Sequence, residues 1–137
     1  MTLQLTLVRD PHVILVVDDD HDLRESLRDI LEAEGFMTIG ASNGEEAIDI
    51  LYNGMQSRPY AILLDLTMPK MTGFELFERL RRDRALESIP VVRMTAFRSL
   101  VKKGEKSPVL LKPFKIEVVL AAIRRASRVW FSRHERG

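Results

Sequence analysis

The amino-acid sequence predicts an α/β protein in which helices cover both faces of one parallel sheet. The apolar runs at residues 12–17 and 61–64 lack the alternation of a half-exposed strand, and such runs are typical of strands buried on both faces; three further short strands are predicted at residues 36–39, 89–94 and 109–111. Segments with apolar residues at helical spacing separate these runs, an order that indicates a doubly wound α/β sandwich. The length of 137 residues, with 45% apolar and 30% charged residues, suits one globular domain.

Composition excludes several classes of function. The chain has no cysteine, which rules out disulfides, thiolate zinc sites and cysteine nucleophiles. No apolar run approaches the roughly 20 residues of a membrane span. The N-terminus lacks the basic start and the small-residue cleavage site of a signal peptide, so we expect a cytoplasmic protein.

Charge is divided unevenly along the chain. Residues 1–97 carry ten basic and 17 acidic side chains, whereas residues 98–137 carry 11 basic and three acidic ones. Such a split occurs in proteins that bind nucleic acid, but no helix-turn-helix pattern or arginine–aromatic groove accompanies it here. A solvated basic helix face is the favoured interpretation, and we expect neither nucleic acid nor a membrane as a partner.

The first predicted strand, residues 12–17, ends in three consecutive aspartates at positions 18–20. A helix over residues 21–34 follows, and Gly35 is its stop signal. Asp20 or Asp22 is placed to cap the first turn of this helix.

A second predicted strand, residues 36–39, leads into the second helix. Ser42 and Glu45 have the spacing of a capping box, which marks the start of that helix, and the helix ends near Gly54. Its inner face consists of Ala47, Ile48 and Leu51.

The third predicted strand, residues 61–64, ends in Asp65, and a Met-Pro turn separates it from a helix that starts near Thr72 and Gly73. Helical spacing divides this helix into an apolar face and an arginine face. The apolar face is Phe74, Leu76, Phe77 and Leu80, and the wet face is Arg79, Arg81, Arg82 and Arg84.

A fourth strand over residues 89–94 ends in Thr95, and a fifth over 109–111 ends in Lys112. The last helix runs from about residue 114 to about residue 131. Its buried stripe is Val118, Val119, Ala122, Ile123, Ala126 and Trp130.

Only 16 residues separate Thr95 from Lys112. The fifth strand and its preceding turn take some of them and leave fewer than an average helix of about 11–12 residues with two connections requires. We therefore expect a fourth helix that is shortened or irregular. Right-handed crossovers favour a flavodoxin-like sheet in the order 2-1-3-4-5.

Polar groups follow four of the five predicted strands. In this order those four strands are neighbours, so Asp18, Asp19, Asp65, Thr95 and Lys112 converge on one sheet edge. Clustered carboxylates repel one another unless a cation intervenes, and their oxygens suit a hard cation such as Mg²⁺. A metal ion on one side of the carboxylates and the Lys112 ammonium on the other leave room for a negatively charged phosphoryl group. Asp65 can be the nucleophile that accepts this group.

The chain resembles the receiver domain of two-component response regulators, including chemotaxis regulators, over residues 12–126. Four segments carry the resemblance, and they occur in the family's order at matching strand ends. They are Val16-Val17-Asp18-Asp19-Asp20, Leu64-Asp65-Leu66-Thr67-Met68-Pro69-Lys70-Met71-Thr72-Gly73, Met94-Thr95-Ala96 and Leu111-Lys112-Pro113-Phe114.

The resemblance implies that Asp65 accepts a phosphoryl group from a phosphohistidine on a histidine kinase or phosphotransfer protein. Lys112 would pair with the phosphoryl oxygens, and the Thr95 hydroxyl would swing in to bond one of them. The Lys112–Pro113 peptide bond would be cis.

The resemblance also implies a Mg²⁺ site. Asp19 and Asp65 would bind the ion directly, Asp18 would act largely through bound water, and the Thr67 carbonyl would be a further ligand.

A stand-alone receiver domain at residues 12–131 is the architecture we expect, with an extension at 1–11 and a basic tail at 132–137. Such a protein is a signalling phosphoacceptor rather than an enzyme, because it catalyses only its own phosphorylation and dephosphorylation. It would signal through changed protein–protein binding.

Two features depart from the family's usual pattern. The short segment 97–107 borders the surface that receivers use for output and dimerisation, which puts the usual dimer in doubt. Val109 stands where many members carry an aromatic residue that reports phosphorylation. Phe97 lies by the entrance to the site, where we expect it to pack rather than to shield a phosphoryl group.

Other interpretations stay open. The altered fourth helix favours a phosphorylation-independent interaction module with the same fold, whereas the retained site residues oppose it. A Mg²⁺-dependent phosphohydrolase would need a cap and a substrate pocket, for which the chain has no spare segment. Trp130 and Phe131 could form a docking surface or cover the space left by the short helix.

Overall fold

The computed structural model describes residues 12–55, 57–68, 71–101 and 109–135, and the side chains of the last helix as far as Arg128. Five parallel strands form one sheet in the order β2-β1-β3-β4-β5, which confirms the predicted order. The strands are β1 (Val13–Val17), β2 (Met37–Ala41), β3 (Ala61–Asp65), β4 (Val91–Thr95) and β5 (Leu110–Leu111).

Among the described residues, four α-helices connect or follow the strands: α1 (His21–Ala33), α2 (Gly44–Asp49), α3 (Gly73–Arg82) and α4 (Ile116–Glu135). A π-helical turn, Ile50–Gly54, extends α2 to the glycine at which the sequence predicted its end. None of the helices in the described part of the chain is both long enough and apolar enough to cross a membrane.

Successive residues of β1 point to opposite faces of the sheet, and each face has its own core. Ile14 and Val16 belong to the core beneath α1 and α4, whereas Leu15 and Val17 belong to the core beneath α2 and α3. All four side chains are fully buried. Burial on both faces is the physical reason why this strand reads as an unbroken apolar run.

Side-chain caps fix where the helices begin. Asp20, rather than Asp22, caps α1 by accepting the Leu23 N–H at 3.1 Å. The predicted capping box of α2 is wrong by one residue, because Asn43 is the cap and accepts the Glu46 N–H at 2.8 Å. Glu46 in turn accepts hydrogen bonds from Ser42 at the preceding position. The Ser42 hydroxyl donates to the Glu46 carboxylate, and the Asn43 oxygen accepts the N–H group at the start of the helix in its place.

Two predicted core residues lie at the surface. Phe74 of α3 is 47% exposed and Val118 of α4 is 46% exposed. The remaining described members of both stripes are buried or half-buried. The predicted positions of the strands and helices differ from the observed ones by up to four residues at an end.

Of the connection between β4 and β5, the structure describes residues 96–101 and residue 109, so the predicted shortened or irregular fourth helix stays a prediction. A single 3₁₀ turn, Arg98–Leu100, follows β4. The rest of the connection, residues 102–108, lies outside the described residues, as do the extension at 1–11 and the side chains of Trp130 and Phe131.

Candidate functional site

The carboxyl ends of four neighbouring strands bring the predicted site residues to one edge of the sheet. Asp18 follows β1, Asp65 ends β3, Thr95 ends β4 and Lys112 follows β5. Asp18 and Thr95 are fully buried and Asp65 is 3% exposed, whereas Asp19 is exposed. The site therefore has a buried floor and an open acidic rim.

Three carboxylates converge at this edge. Asp18, Asp19 and Asp65 each offer an oxygen, and these oxygens lie within 4.8 Å of one another. A hard divalent cation such as Mg²⁺ prefers oxygen ligands of this kind, usually one or two carboxylates with water and phosphate oxygens completing the shell. The donor set fits Mg²⁺.

Lys112 is the cation that the two buried carboxylates share. Its Nζ lies 2.6 Å from Asp18 Oδ2 and 3.4 Å from Asp65 Oδ2. Burial alone would lower the pKa of the Lys112 ammonium, but the hydrogen bond and the charges of Asp18 and Asp65 outweigh burial and raise that pKa above its ordinary 10.5. The Lys112–Pro113 peptide bond is cis, as the resemblance implied.

Asp65 is held by its own turn. Its Oδ1 accepts the Thr67 N–H at 3.1 Å and the Thr67 hydroxyl at 3.3 Å. Burial raises the pKa of Asp65 from 3.8 to about 6, and the charge of Asp18 adds to this rise while Thr67 and Lys112 oppose it. Without a metal, Asp65 is a buried carboxylate whose charge is only partly compensated.

Asp18 is fixed at both its backbone and its side chain. Its N–H donates to the Ala41 carbonyl at 3.0 Å, and its Oδ1 accepts the Asp20 N–H at 2.9 Å. Its carbonyl oxygen accepts a hydrogen bond from Arg24 Nη1 at 2.8 Å. Motif reasoning did not identify Arg24, because nothing in the spacing of charged residues on α1 distinguishes it from its neighbours.

Thr95 connects the site to the irregular turn that follows β4. Its Oγ1 accepts the Phe97 N–H at 3.0 Å, and Phe97 precedes the 3₁₀ turn Arg98–Leu100. The expectation that Phe97 packs is wrong, since 55% of this residue is exposed.

Gly73 is a further site residue whose role the sequence did not specify. A Cβ at this position would lie 2.1 Å from the Asp65 carbonyl oxygen and 2.4 Å from the Leu66 Cα. The Gly73 N–H also donates to the Leu66 carbonyl at 3.1 Å. The start of α3 therefore lies directly against the backbone of Asp65, which requires a residue with no side chain.

This sheet edge, with its acidic cluster and half-buried ammonium, defines a receiver fold and site. Residues 14–124 match the model of the response regulator receiver domain family. The chain belongs to that family.

Characterised relatives are similar over most of the chain. The response regulator MprA of Mycobacterium sp. (strain KMS) is 37% identical over 123 residues, which cover 86% of this chain and 51% of MprA. The chain thus spans about half the length of that relative. Sporulation initiation phosphotransferase F of Bacillus subtilis is 33% identical over 117 residues, which cover 82% of this chain and 90% of the relative.

A solved structure of a response regulator shows the same fold. The response regulator TrrA of Thermotoga maritima, described as a complex with Mg²⁺-BeF, superimposes with a TM-score of 0.69 at 25% identity. The superposition covers 84% of this chain and 98% of TrrA.

Proposed function

We propose that Asp65 accepts a phosphoryl group from a phosphohistidine on a histidine kinase or phosphotransfer protein, in a Mg²⁺-dependent reaction. The observation that carries this proposal is the position of Asp65, a buried carboxylate that lies beside two other aspartates and contacts Lys112. Membership of the receiver family supports the role of phosphoacceptor.

In the transfer, a carboxylate oxygen of Asp65 forms a bond to phosphorus while the phosphorus–nitrogen bond of the donor breaks. The ring nitrogen of the donor histidine keeps the electron pair of that bond. Lys112, which already lies 3.4 Å from Asp65, pairs with the phosphoryl oxygens and offsets their charge. The hydrogen bonds from Thr67 hold the Asp65 carboxylate in one orientation during attack.

Asp19 and Asp65 are the residues that would bind Mg²⁺ directly, with Asp18 acting through water and the Thr67 carbonyl as a further ligand. When bound, the ion supplies the positive charge that phosphoryl transfer requires. The Mg²⁺-BeF complex of TrrA supports Mg²⁺ as the ion by similarity.

The signal leaves the site through Thr95. A hydroxyl that turns toward a phosphoryl oxygen releases the Phe97 N–H, which it now binds at 3.0 Å. That release loosens the 3₁₀ turn and its exposed Phe97, and so changes what a downstream protein can bind.

Intact-mass spectrometry after incubation with acetyl phosphate tests the proposal. The wild type should gain one phosphoryl group only when Mg²⁺ is present, and Asp65→Asn should gain none. Asp20→Asn is the matched control, because Asp20 is an exposed neighbour whose capping role asparagine can keep. If neither acetyl phosphate nor a phosphorylated histidine kinase labels folded wild-type protein, the proposal is wrong.

The 3₁₀ turn in the described residues after β4, in place of the start of a full helix, favours one alternative, a receiver-fold module that binds its partner without phosphorylation. Under that alternative, Asp65→Asn would bind the cellular partner as the wild type does. Three points stay predictions: the stand-alone arrangement, the domain boundaries at residues 12 and 131, and the cytoplasmic location. Fractionation of cells and limited proteolysis of the full chain would test them.

A further inference from the structure

Arg24 of α1 contacts the backbone beside the acidic cluster, and only 14% of its side chain is exposed. Its Nη1 donates to the Asp18 carbonyl at 2.8 Å, and its Nη2 lies 3.1 Å from His21 Nδ1. Its backbone N–H donates to the Asp20 carbonyl at 2.9 Å. Arg24 therefore binds the backbone at both ends of the segment Asp18–Asp20, which we call the acidic segment.

The carbonyl that Arg24 binds determines where the next residue can point. The Asp18 carbonyl is part of the planar peptide unit that ends at the Asp19 Cα, from which the Asp19 side chain extends. Because the Asp18 N–H and side chain are also bonded, to Ala41, Asp20 and Lys112, a fixed carbonyl leaves this peptide plane little freedom. The exposed Asp19 carboxylate is thus directed toward Asp18 and Asp65 from a rigid base.

Gly40 of β2 allows Arg24 to take this position. A Cβ at residue 40 would lie 3.2 Å from Arg24 Cδ and 3.3 Å from Arg28 Cδ. The two arginine side chains therefore lie close against the strand at this glycine, and the Arg24 side chain extends to the Asp18 carbonyl. Arg28 instead binds Thr38 and Glu25, away from the acidic cluster.

We propose that Arg24 is a positioning residue for the Mg²⁺ site, which it organises by holding the Asp18–Asp19 peptide in place before the ion binds. This inference rests on the proposed function, since it assumes that the acidic cluster binds Mg²⁺. Partners that orient the ligands of a metal site commonly contribute about tenfold or more to metal affinity.

Electrostatics and positioning predict opposite results for the loss of Arg24. A positive charge beside the cluster repels a divalent cation, so neutralising Arg24 without any structural effect would strengthen Mg²⁺ binding. Loss of the hydrogen bond to the Asp18 carbonyl would weaken binding instead. The sign of the change separates the two roles.

Calorimetric titration of the full chain with Mg²⁺ alone measures the Mg²⁺ affinity of the wild type and of each variant. Arg24→Gln should bind Mg²⁺ about tenfold more weakly than the wild type. Arg24→Lys keeps the positive charge but has one donor nitrogen, whereas the guanidinium contacts Asp18 and His21 through two. This variant should therefore keep part of the Mg²⁺ affinity. Phosphorylation by acetyl phosphate should then require more Mg²⁺ but reach the same rate at saturation.

Arg28→Gln is the matched control, because Arg28 lies one turn further along α1 and binds no carbonyl of the acidic segment. Its Mg²⁺ affinity should equal that of the wild type even where thermal unfolding shows a loss of stability. Equal or tighter Mg²⁺ binding by folded Arg24→Gln would overturn the role of Arg24. A wild type that binds no Mg²⁺ would instead overturn the proposed function itself.

Discussion

Asp65 is a carboxylate whose burial opposes its charge. Only 3% of the residue is exposed, and Lys112 must compensate both Asp65 and the fully buried Asp18. Burial and the charge of Asp18 are the reasons why the pKa of Asp65 rises to about 6. In the metal-free protein this residue therefore destabilises the folded state at neutral pH, which is a cost that a bound cation would relieve.

Replacement of Asp65 by asparagine should stabilise the metal-free protein at pH 7. The folded protein binds the Asp65 proton more tightly than the unfolded chain does, because the pKa is about 6 in one and near 3.8 in the other. Wild-type stability consequently falls as pH rises from about 4 to about 6, by up to about 3 kcal/mol for this residue. Asp65→Asn has no carboxyl group at this position and does not lose this stability. In urea unfolding with EDTA present, its free energy of unfolding should therefore exceed that of the wild type by an amount that grows over this pH range.

Asp20→Asn serves as the control for this pH effect, because Asp20 is exposed and lies outside the cluster of three carboxylates. The change in its stability relative to the wild type between pH 4 and pH 7 is the baseline with which the change in Asp65→Asn is compared. A stability difference between Asp65→Asn and the wild type that is the same at both pH values would contradict the assignment.

The start of α3 positions the backbone of Asp65. Thr72 caps this helix by accepting the Glu75 N–H at 3.2 Å, and the chain turns back at Gly73 against the Asp65 carbonyl. The nearest atoms to a Cβ at Gly73 belong to the backbone, which cannot move aside as a flexible side chain can. The helix can approach the end of β3 this closely only because residue 73 is glycine.

Gly73→Ala should therefore destabilise the protein by about 3 kcal/mol, since the added methyl group forces α3 away from β3. It should also slow labelling by acetyl phosphate, because the Asp65 backbone is displaced. Urea unfolding and intact-mass spectrometry measure the two effects. Gly54→Ala is the control, because a Cβ at Gly54 would make only ordinary contacts, 3.7 Å from Ile50. Equal stability of the two variants would show that α3 can shift without cost.

The strands and the residues at their ends could be predicted because both depend on local sequence. An unbroken apolar run indicates a strand buried on both faces, and the residue after it lies at the carboxyl edge of a parallel sheet. This reasoning brought Asp18, Asp65, Thr95 and Lys112 to one edge, where the structure also places them.

Helical stripes were predicted less well at their margins. With about 100° per residue, Phe74 lies about 120° around α3 from Leu80 and thus at the border of the buried face. Val118 has the same marginal position on α4, and both residues are exposed. The contacts of Gly73 and Arg24 could not be predicted, because they depend on how closely a helix packs on the sheet.

The whole molecule has to fold before the site exists. Lys112 and Asp18, which contact each other at 2.6 Å, are 94 residues apart in the sequence. The three carboxylates come from β3 and from the loop after β1, which the unfolded chain does not hold together. A cation that binds the assembled cluster must therefore favour the folded state.

Mg²⁺ should raise the thermal unfolding temperature of the wild type, and EDTA should reverse the rise. At about 100 times the dissociation constant, the ion adds about 2.7 kcal/mol to the free energy of unfolding. For a domain of this size that corresponds to a rise of roughly 10 °C.

Asp19→Asn should lose most of the rise in unfolding temperature, because it removes the exposed carboxylate of the cluster. Asp22→Asn, an exposed change in the first turn of α1, should keep the rise. Scanning calorimetry at constant ionic strength, with KCl replacing MgCl₂, separates ion binding from charge screening. A rise of equal size in KCl, or in Asp19→Asn, would show that the effect does not come from this site.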